Sequence, residues 1–366
     1  MLRIGGSPLP VVGRARMYVC GITPYDTTHL GHAATFVWAD VAARVLRHLG
    51  VDVEVCRNVT DVDDVLDAAA AERGAEPDSF AAVQQFRFDR DMTALGVRKP
   101  THEPRAHNHV GQVVTLAAAL LESGAAYLRG GTVWFRGQGA PARSGMSAPA
   151  AAALAAEFGQ VTDHPDAEHP ADVPIWRASR FGEAAWPSPW GEGRPGWHAE
   201  CAAMALTTLG PALDLHVGGE DLRFPHHAYE AEMAEAVTGV RPFARAWMHV
   251  GAVRLDGARM AKSTGNLVLV SDVLAKHAPA ALRLLLVDRS WARGWDFHSR
   301  DLDAAAERLE RLYAAAARGT GSGGRAATEA VTTALLADLD VPTALDVAEE
   351  AGGDAARLAL SVLNLS

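Results

Sequence analysis

Lysine is almost missing from this sequence: Lys99, Lys262 and Lys276 are the only three in 366 residues. Lys plus Arg total 34 against 44 Asp plus Glu, a formal charge of −10. Binding to a nucleic-acid backbone rests on clustered positive charge, so that balance disfavours a polyanionic partner. Cysteine is also scarce. Cys20, Cys56 and Cys201 are too few and too scattered for a disulfide framework, which points to a reducing cytoplasm. Apolar runs such as Leu116 to Leu121 and Leu284 to Val287 fall far short of the roughly 20 residues of a membrane span. The opening MLRIGGSPLPVVGRARMYVC lacks the apolar core of a signal peptide, so a soluble chain with no membrane partner is expected.

What is present is globular material, 49 % hydrophobic and 21 % charged, in a length sufficient for roughly two to three domains. Met17 to Cys20 is a short apolar run ending in Gly21 and Pro24. Residues Gly31 to Leu49 carry apolar side chains at helical spacing, and Val51 to Val55 has a β-branched pattern. This predicts a strand-helix-strand unit whose ligands sit at the carboxyl ends of the strands, near Cys20 to Pro24 and Arg57 to Thr60. From Asp61 to about Trp190 the pattern is mostly helical, with a hairpin near Tyr127 to Arg136 and loops at Gly137 to Pro149 and Thr162 to Pro174. The unit resumes with a helix over Trp197 to Leu209, a strand over Leu213 to Val217, a helix from Pro225 to Val237 and a strand over Ala246 to Val250. A helical tail follows, interrupted by the linker-like Gly319 to Gly324. The expected division is therefore 1–60 with 191–270 as two halves of a nucleotide-binding domain, 61–190 as an insertion, and 271–366 as a helical region.

Three groups of residues carry chemistry. Thr28-His29-Leu30-Gly31-His32 lies at a strand-to-helix turn, where backbone N–H groups and a helix dipole suit phosphate; the plainer reading is that the histidines cap the helix. Cys20, Cys201 and His226 form a soft donor set suited to zinc, with Glu230 one turn after His226, but without a CxxC knuckle they read equally as two buried cysteines and a core histidine. Arg259-Met260-Ala261-Lys262-Ser263 is either a mobile loop that brings Lys262 to a phosphate or a solvated basic loop.

In this order the three groups resemble the HIGH and KMSKS elements of class I aminoacyl-tRNA synthetases. The segments MYVCGITPYD, NVTDVDD, PSPWGEGRPGWHAECAAMAL, GGEDLRFPHH and MAKSTGNLVLVSDVL resemble the cysteine-activating branch, which holds cysteinyl-tRNA synthetases and the shorter mycothiol-pathway cysteine ligases. GITPYD in place of a GPTVYD-like segment, GNLVLVS after the loop, and little length for an anticodon-reading domain favour the ligases. The resemblance implies an α/β fold: a class I synthetase-type Rossmann (HUP) domain with an inserted connective region and a C-terminal helical bundle. It implies zinc, one per chain, on Cys20, Cys201 and His226, with Glu230 at a position where synthetases carry a further zinc ligand, and Mg²⁺ accompanying ATP. It assigns catalysis to His29, His32 and Lys262. It places the adenylate against Gly21, Ile22, Thr23, Thr35, Asn58, Val59, Thr60, Trp197, Gly219, Glu220, Asp221 and Val253. The implied reaction is ATP-dependent formation of cysteinyl-AMP and transfer of cysteine to the amine of glucosaminyl-inositol by a monomer that takes no tRNA. The rivals are a cysteinyl-tRNA synthetase, a paralogue with another acceptor, and a non-catalytic cysteine- or adenylate-binding regulator. Two departures stand out: an ERGGDP-like element is not recognisable at Glu157 to Pro165, and Arg259 and Ala261 replace the usual lysine and serine of the KMSKS loop.

Overall fold

The structure is a computed structural model and describes residues 1–25, 27–160, 164–180, 183–260, 265–319, 321 and 324–366. A two-strand hairpin, β1 (Arg3–Ile4) and β2 (Ser7–Pro8), leads into β3 (Arg14–Ile22), α1 (Leu30–His48) and β4 (Asp52–Val59). Helices α2 (Asp64–Ala71), α3 (Pro77–Ala94) and α4 (Val110–Glu122) follow, then β5 (Ala126–Arg129), β6 (Thr132–Phe135), α5 (Ala140–Arg143), α6 (Ala148–Glu157), β7 (Val173–Ala178) and β8 (Gly193–Pro195). The chain returns through α7 (Trp197–Leu209), β9 (Leu213–Gly219), α8 (His226–Thr238), β10 (Ala244–Val250), β11 (Val253–Leu255) and β12 (Ala258–Arg259). It ends with α9 (Val270–Leu274), α10 (Pro279–Val287), β13 (Trp295–Asp296), α11 (Arg300–Ala317), α12 (Gly324–Leu336), α13 (Val341–Ala351) and α14 (Gly353–Leu363).

The central sheet has the order β10-β9-β3-β4, all parallel. Met17, Tyr18, Val19 and Cys20 are buried on both faces of β3, as a central parallel strand requires. Because all four strands run the same way, their carboxyl ends gather Cys20 to Thr23, Asn58 to Thr60, Gly219 and Val250 along one edge, the place where open α/β sheets hold ligands. Helix α1 is buried along most of its length and packs on this sheet. It is tied to the helical tail by Arg283, whose guanidinium donates to Asp40 (2.5 Å), to the Leu95 carbonyl (2.9 Å) and to the Leu363 carbonyl (2.6 Å).

Three expectations are corrected. The segment 61–190 is largely helical and the hairpin expected near Tyr127 to Arg136 is β5-β6, but β7 and β8 extend it into a four-strand antiparallel sheet, and β8 carries that sheet past residue 190 to Pro195. Val173 and Pro174, expected in a loop, open β7, while α5 and the start of α6 lie in the stretch expected to be a loop at 137–149. Strands this short leave no period to read, and their burial against α4 comes from distant chain. The tail is not wholly helical either, because β13 pairs parallel with β11. The linker-like 319–324 lies partly outside the described residues.

Candidate active site

Cys20 lies near the end of β3, α7 presents Cys201 and α8 begins with His226; all three side chains are buried. Their sulfur and nitrogen atoms lie within 4.8 Å of one another. The Cys201 thiol is lowered to about 6, first by a hydrogen bond from the Cys20 thiol and also by His226, against the opposing effect of burial. Burial pushes Cys20 the other way, well above its usual range, so the pair is suited to share one proton. Two sulfurs, one of them readily a thiolate, and an imidazole in a buried corner match the preferences of a soft divalent metal. The His226 ring is fixed by stacking on Trp197, with centroids 4.3 Å apart, and by a 3.0 Å contact between its Nδ1 and that of His198.

Glu230 falls outside this triple. It is fully buried, its Oε2 lies 3.0 Å from His216 Nε2, and it groups instead with Cys20, His216 and His227 as a second set able to hold a metal. Burial raises the Glu230 carboxyl and lowers His216 to about 3, so their contact is a neutral hydrogen bond. The layer that sequence reasoning missed consists of His198, His216, His227 and His249. His227 bridges Cys20 Sγ (3.2 Å) and His249 Nε2 (2.9 Å), behind the cysteines. The adjacent pair His226-His227 was the available signal, but four other sequence segments had to be brought to it.

At the start of α1, the capping reading holds for His29 and not for His32. His29 is the N-cap, its Nδ1 accepting from the Gly31 N–H at 3.1 Å, and it also lines the cleft. A Cβ on Gly31 would sit 2.8 Å from the His29 ring, so a larger residue here would displace the capping imidazole. The His29 and His32 rings lie 3.9 Å apart. Burial, and secondarily Arg259, lowers His32 to about 4, leaving a neutral imidazole at physiological pH.

These groups open into one cleft of about 940 Å³. Cys20, Gly21, Thr23, His29, His32, Thr35, Asn58, Thr60, Trp197, Cys201, Gly219, Asp221, His226 and Val253, all expected at the site, line it together. Ile22, Val59 and Glu220 are not in its wall. The Ile22 carbonyl instead accepts from the Thr60 N–H, the Val59 N–H donates to the Pro104 carbonyl, and Glu220 pairs with Arg254 at 3.7 Å. Gly21 donates to Asn58 Oδ1 at 2.9 Å, and Asn58 donates to Thr60 Oγ1 at 3.0 Å, which fixes the two strand ends against each other. Arg259, in place of the usual lysine, forms an ion pair with Asp221 across the cleft. Ala261 and Lys262 lie outside the described residues.

A parallel sheet with a histidine-capped helix after its first strand and an inserted antiparallel sheet, with one cleft at the strand ends, defines a class I synthetase-type catalytic domain. The chain belongs to the family described as tRNA synthetases class I (C) catalytic domain, whose model matches residues 10–307. It is 44 % identical over 349 residues to the L-cysteine:1D-myo-inositol 2-amino-2-deoxy-alpha-D-glucopyranoside ligase of Kribbella flavida, covering 93 % of this chain and 86 % of that protein. It is 42 % identical over 304 residues to a cysteine–tRNA ligase of Legionella pneumophila, covering 83 % of this chain and 66 % of that one. Among solved structures, Mycobacterium tuberculosis methionyl-tRNA synthetase in complex with methionyl-adenylate superposes with a TM-score of 0.65 at 18 % identity, over 97 % of this chain and 82 % of that chain. That likeness speaks to the fold.

Proposed function

We propose that the protein is an AMP-forming cysteine ligase that activates L-cysteine with ATP and transfers it to the amine of glucosaminyl-inositol, the two substrates that the name of the Kribbella relative joins. The observation that carries this reading is the Cys20, Cys201, His226 triple opening into the same cleft as the His29 turn and Asp221. The triple would hold zinc, which when bound supplies a soft Lewis acid that prefers sulfur to a hydroxyl and so disfavours serine.

In the first half-reaction a carboxylate oxygen of cysteine attacks the α-phosphorus of ATP. An oxygen–phosphorus bond forms, the bond to the bridging oxygen breaks, and pyrophosphate leaves; Mg²⁺ accompanying ATP would neutralise part of the phosphate charge. His29 and His32 are assigned to the phosphates; because His32 is held neutral, it acts there by donating an N–H and not as a full charge. Lys262 is assigned the charge that forms on pyrophosphate. Asp221 is assigned an ammonium or a ribose hydroxyl, and Trp197 packs against His226. In the second half-reaction the acceptor nitrogen attacks the carbonyl carbon. A carbon–nitrogen bond forms, the bond to AMP breaks, and the amine's proton passes to solvent. No protein nucleophile is needed.

Cysteine-dependent exchange of pyrophosphate into ATP tests the first step, and mass analysis of products with glucosaminyl-inositol tests the second. The Legionella relative favours a second reading, transfer to tRNA; robust charging of tRNA at moderate salt, with no amide formed on the amino sugar, would establish it instead. Action as a cytoplasmic monomer is part of the same proposal, and no helix is long and apolar enough to cross a membrane among the described residues.

A further inference from the structure

A second, smaller cavity of about 30 Å³ is bordered by α1, β4 and the segment 97–100 that follows α3. Helix α1 gives it Phe36, Ala39, Ala43 and Arg47, at i, i+3, i+7 and i+11, a single stripe of the helix. β4 adds Val55 and Arg57, two residues apart and so on one face of the strand. Of the residues in its wall only Phe36 also borders the active-site cleft, so this is a compartment apart from the one assigned to cysteine and ATP.

Five residues of the wall are charged, and two of them are already matched. Asp40 Oδ2 accepts from the guanidinium groups of Arg44 (2.6 Å) and Arg283 (2.5 Å), and its Oδ1 accepts from the Arg98 backbone N–H (3.1 Å). Arg57 pairs with Asp89 at 2.8 Å and with Glu103. Arg47, Arg98 and Lys99 are left over. Arg47 donates to an uncharged acceptor, the Val53 carbonyl, at 3.0 Å. The side chains of Arg98 and Lys99 make no hydrogen bond or ion pair among the described residues, and Lys99 acts only at a distance on Asp89, which Arg57 already holds. Burial first and Arg98 next lower Arg47 from its usual value, while Asp40 and Asp52 oppose this. Like charges set side by side at a partly desolvated place cost free energy unless an anion joins them. In a chain of net charge −10, three cations without a carboxylate partner at one small cavity are a local reversal of sign.

We infer that this cavity is an oxyanion site for a phosphoryl group, held by Arg47, Arg98 and Lys99 over the apolar stripe of α1. Its size sets the class of ligand: one water needs about 10–15 Å³ of such volume, so this cavity takes two or three oxygens and excludes a nucleotide. The ion is free phosphate or the end of a phosphomonoester whose remainder stays in solvent, and the same donors serve both. The site does not depend on which acceptor the ligase uses.

Calorimetric titration of inorganic phosphate into the full chain tests this, with ionic strength held constant by chloride so that general screening is common to every point. The variants are Arg98→Gln and Lys99→Gln, separately and combined; both residues are exposed, so the fold does not rest on them. The parent is expected to bind phosphate saturably, and the combined variant at least about 10-fold more weakly, as the loss of charge-assisted hydrogen bonds requires. Cysteine-dependent pyrophosphate exchange in phosphate-free buffer is expected to stay within about two-fold of the parent in all three variants. Glycerol phosphate titrated in the same way identifies the source: binding as tight as phosphate gives the monoester, and binding at least about 10-fold weaker gives the free ion. A parent that binds no phosphate, or a combined variant that binds it as tightly as the parent, would overturn the inference. So would exchange that falls in step with phosphate binding, since the ion would then belong to the cleft.

Discussion

Replacing Gly21 by alanine is a severe perturbation that the structure allows to be sized. A Cβ built on Gly21 would lie 1.5 Å from the Asn58 carbonyl oxygen and 2.7 Å from its carbonyl carbon. Both are backbone atoms of the neighbouring strand, so no side chain can swing aside. The ends of β3 and β4 would have to separate by roughly 1.5 Å to reach even the shortest Cβ contacts found in proteins. That would stretch the 2.9 Å hydrogen bond from the Gly21 N–H to Asn58 Oδ1 and the 2.9 Å bond from the Thr60 N–H to the Ile22 carbonyl. Overpacking costs about 1–3 kcal/mol and a lost hydrogen bond about 1 kcal/mol more. A total near 3 kcal/mol corresponds to a melting temperature lower by about 5 °C or more in a chain of this size. Cys20 and Asn58 flank the displaced bond, and a misplacement of about 1 Å at a reacting centre can cost ~100-fold in rate. Calorimetry and cysteine-dependent pyrophosphate exchange on the same Gly21→Ala preparation check both effects. A melting point within about 1 °C of the parent and an exchange rate within about two-fold would refute the argument that this crossing needs a residue without a side chain.

Elemental analysis should find about one zinc per chain in the parent protein and in Glu230→Gln, but little in Cys201→Ser, because Glu230 is engaged with His216 and is not part of the sulfur-nitrogen triple; loss of zinc from Glu230→Gln would move that residue into the ligand set. Lys262→Ala should slow cysteinyl-AMP formation by ~100-fold while barely changing acceptor attack on preformed adenylate, and equal slowing of both steps in single-turnover measurements would remove its assigned role. Arg259→Lys should change adenylation by much less than Asp221→Asn, since the exposed Arg259 pairs with Asp221 while Asp221 is assigned to substrate; the reverse order in exchange assays would make Arg259 the primary contact. Acidification from about pH 7 to about pH 5 should lower the melting temperature. Burial holds His198, His216 and His249 at about 3 and His32 at about 4, and lowers His226 and His227, whereas unfolded histidines near 6.5 take up protons, so stability is lost as pH falls through the unfolded value. Desolvation raises buried Glu200 and Glu230 and, to a smaller extent, Asp63, Asp89, Asp91 and Asp288, which opposes this; the larger shifts of the histidines set the sign, and a melting temperature that is flat or rising on acidification would contradict the balance.

Local signals in the sequence were sufficient wherever one segment supplies its own period or turn. The helix over Trp197 to Leu209 and the strand starting at Leu213 were legible because burial on one face or both imposes a pattern that neighbours in sequence repeat. The His29 turn and the carboxyl-end location of the site were legible for the same reason, since the order of strand, turn and helix alone sends ligands to that edge. Beyond the hairpin near Tyr127 to Arg136, the inserted sheet was not. Its strands are three to six residues long, paired with partners up to dozens of residues away, and too short to carry a period. Nor could spacing separate a metal triple from two buried cysteines: Cys20 and Cys201 are brought together only when β9 pairs beside β3 and α7 and α8 pack behind them. The split between His226, which faces Cys201, and Glu230, which turns to His216, was likewise decided in three dimensions. An i, i+4 spacing puts two side chains on one helix face, but the partner each one meets is set by the strand packed against it.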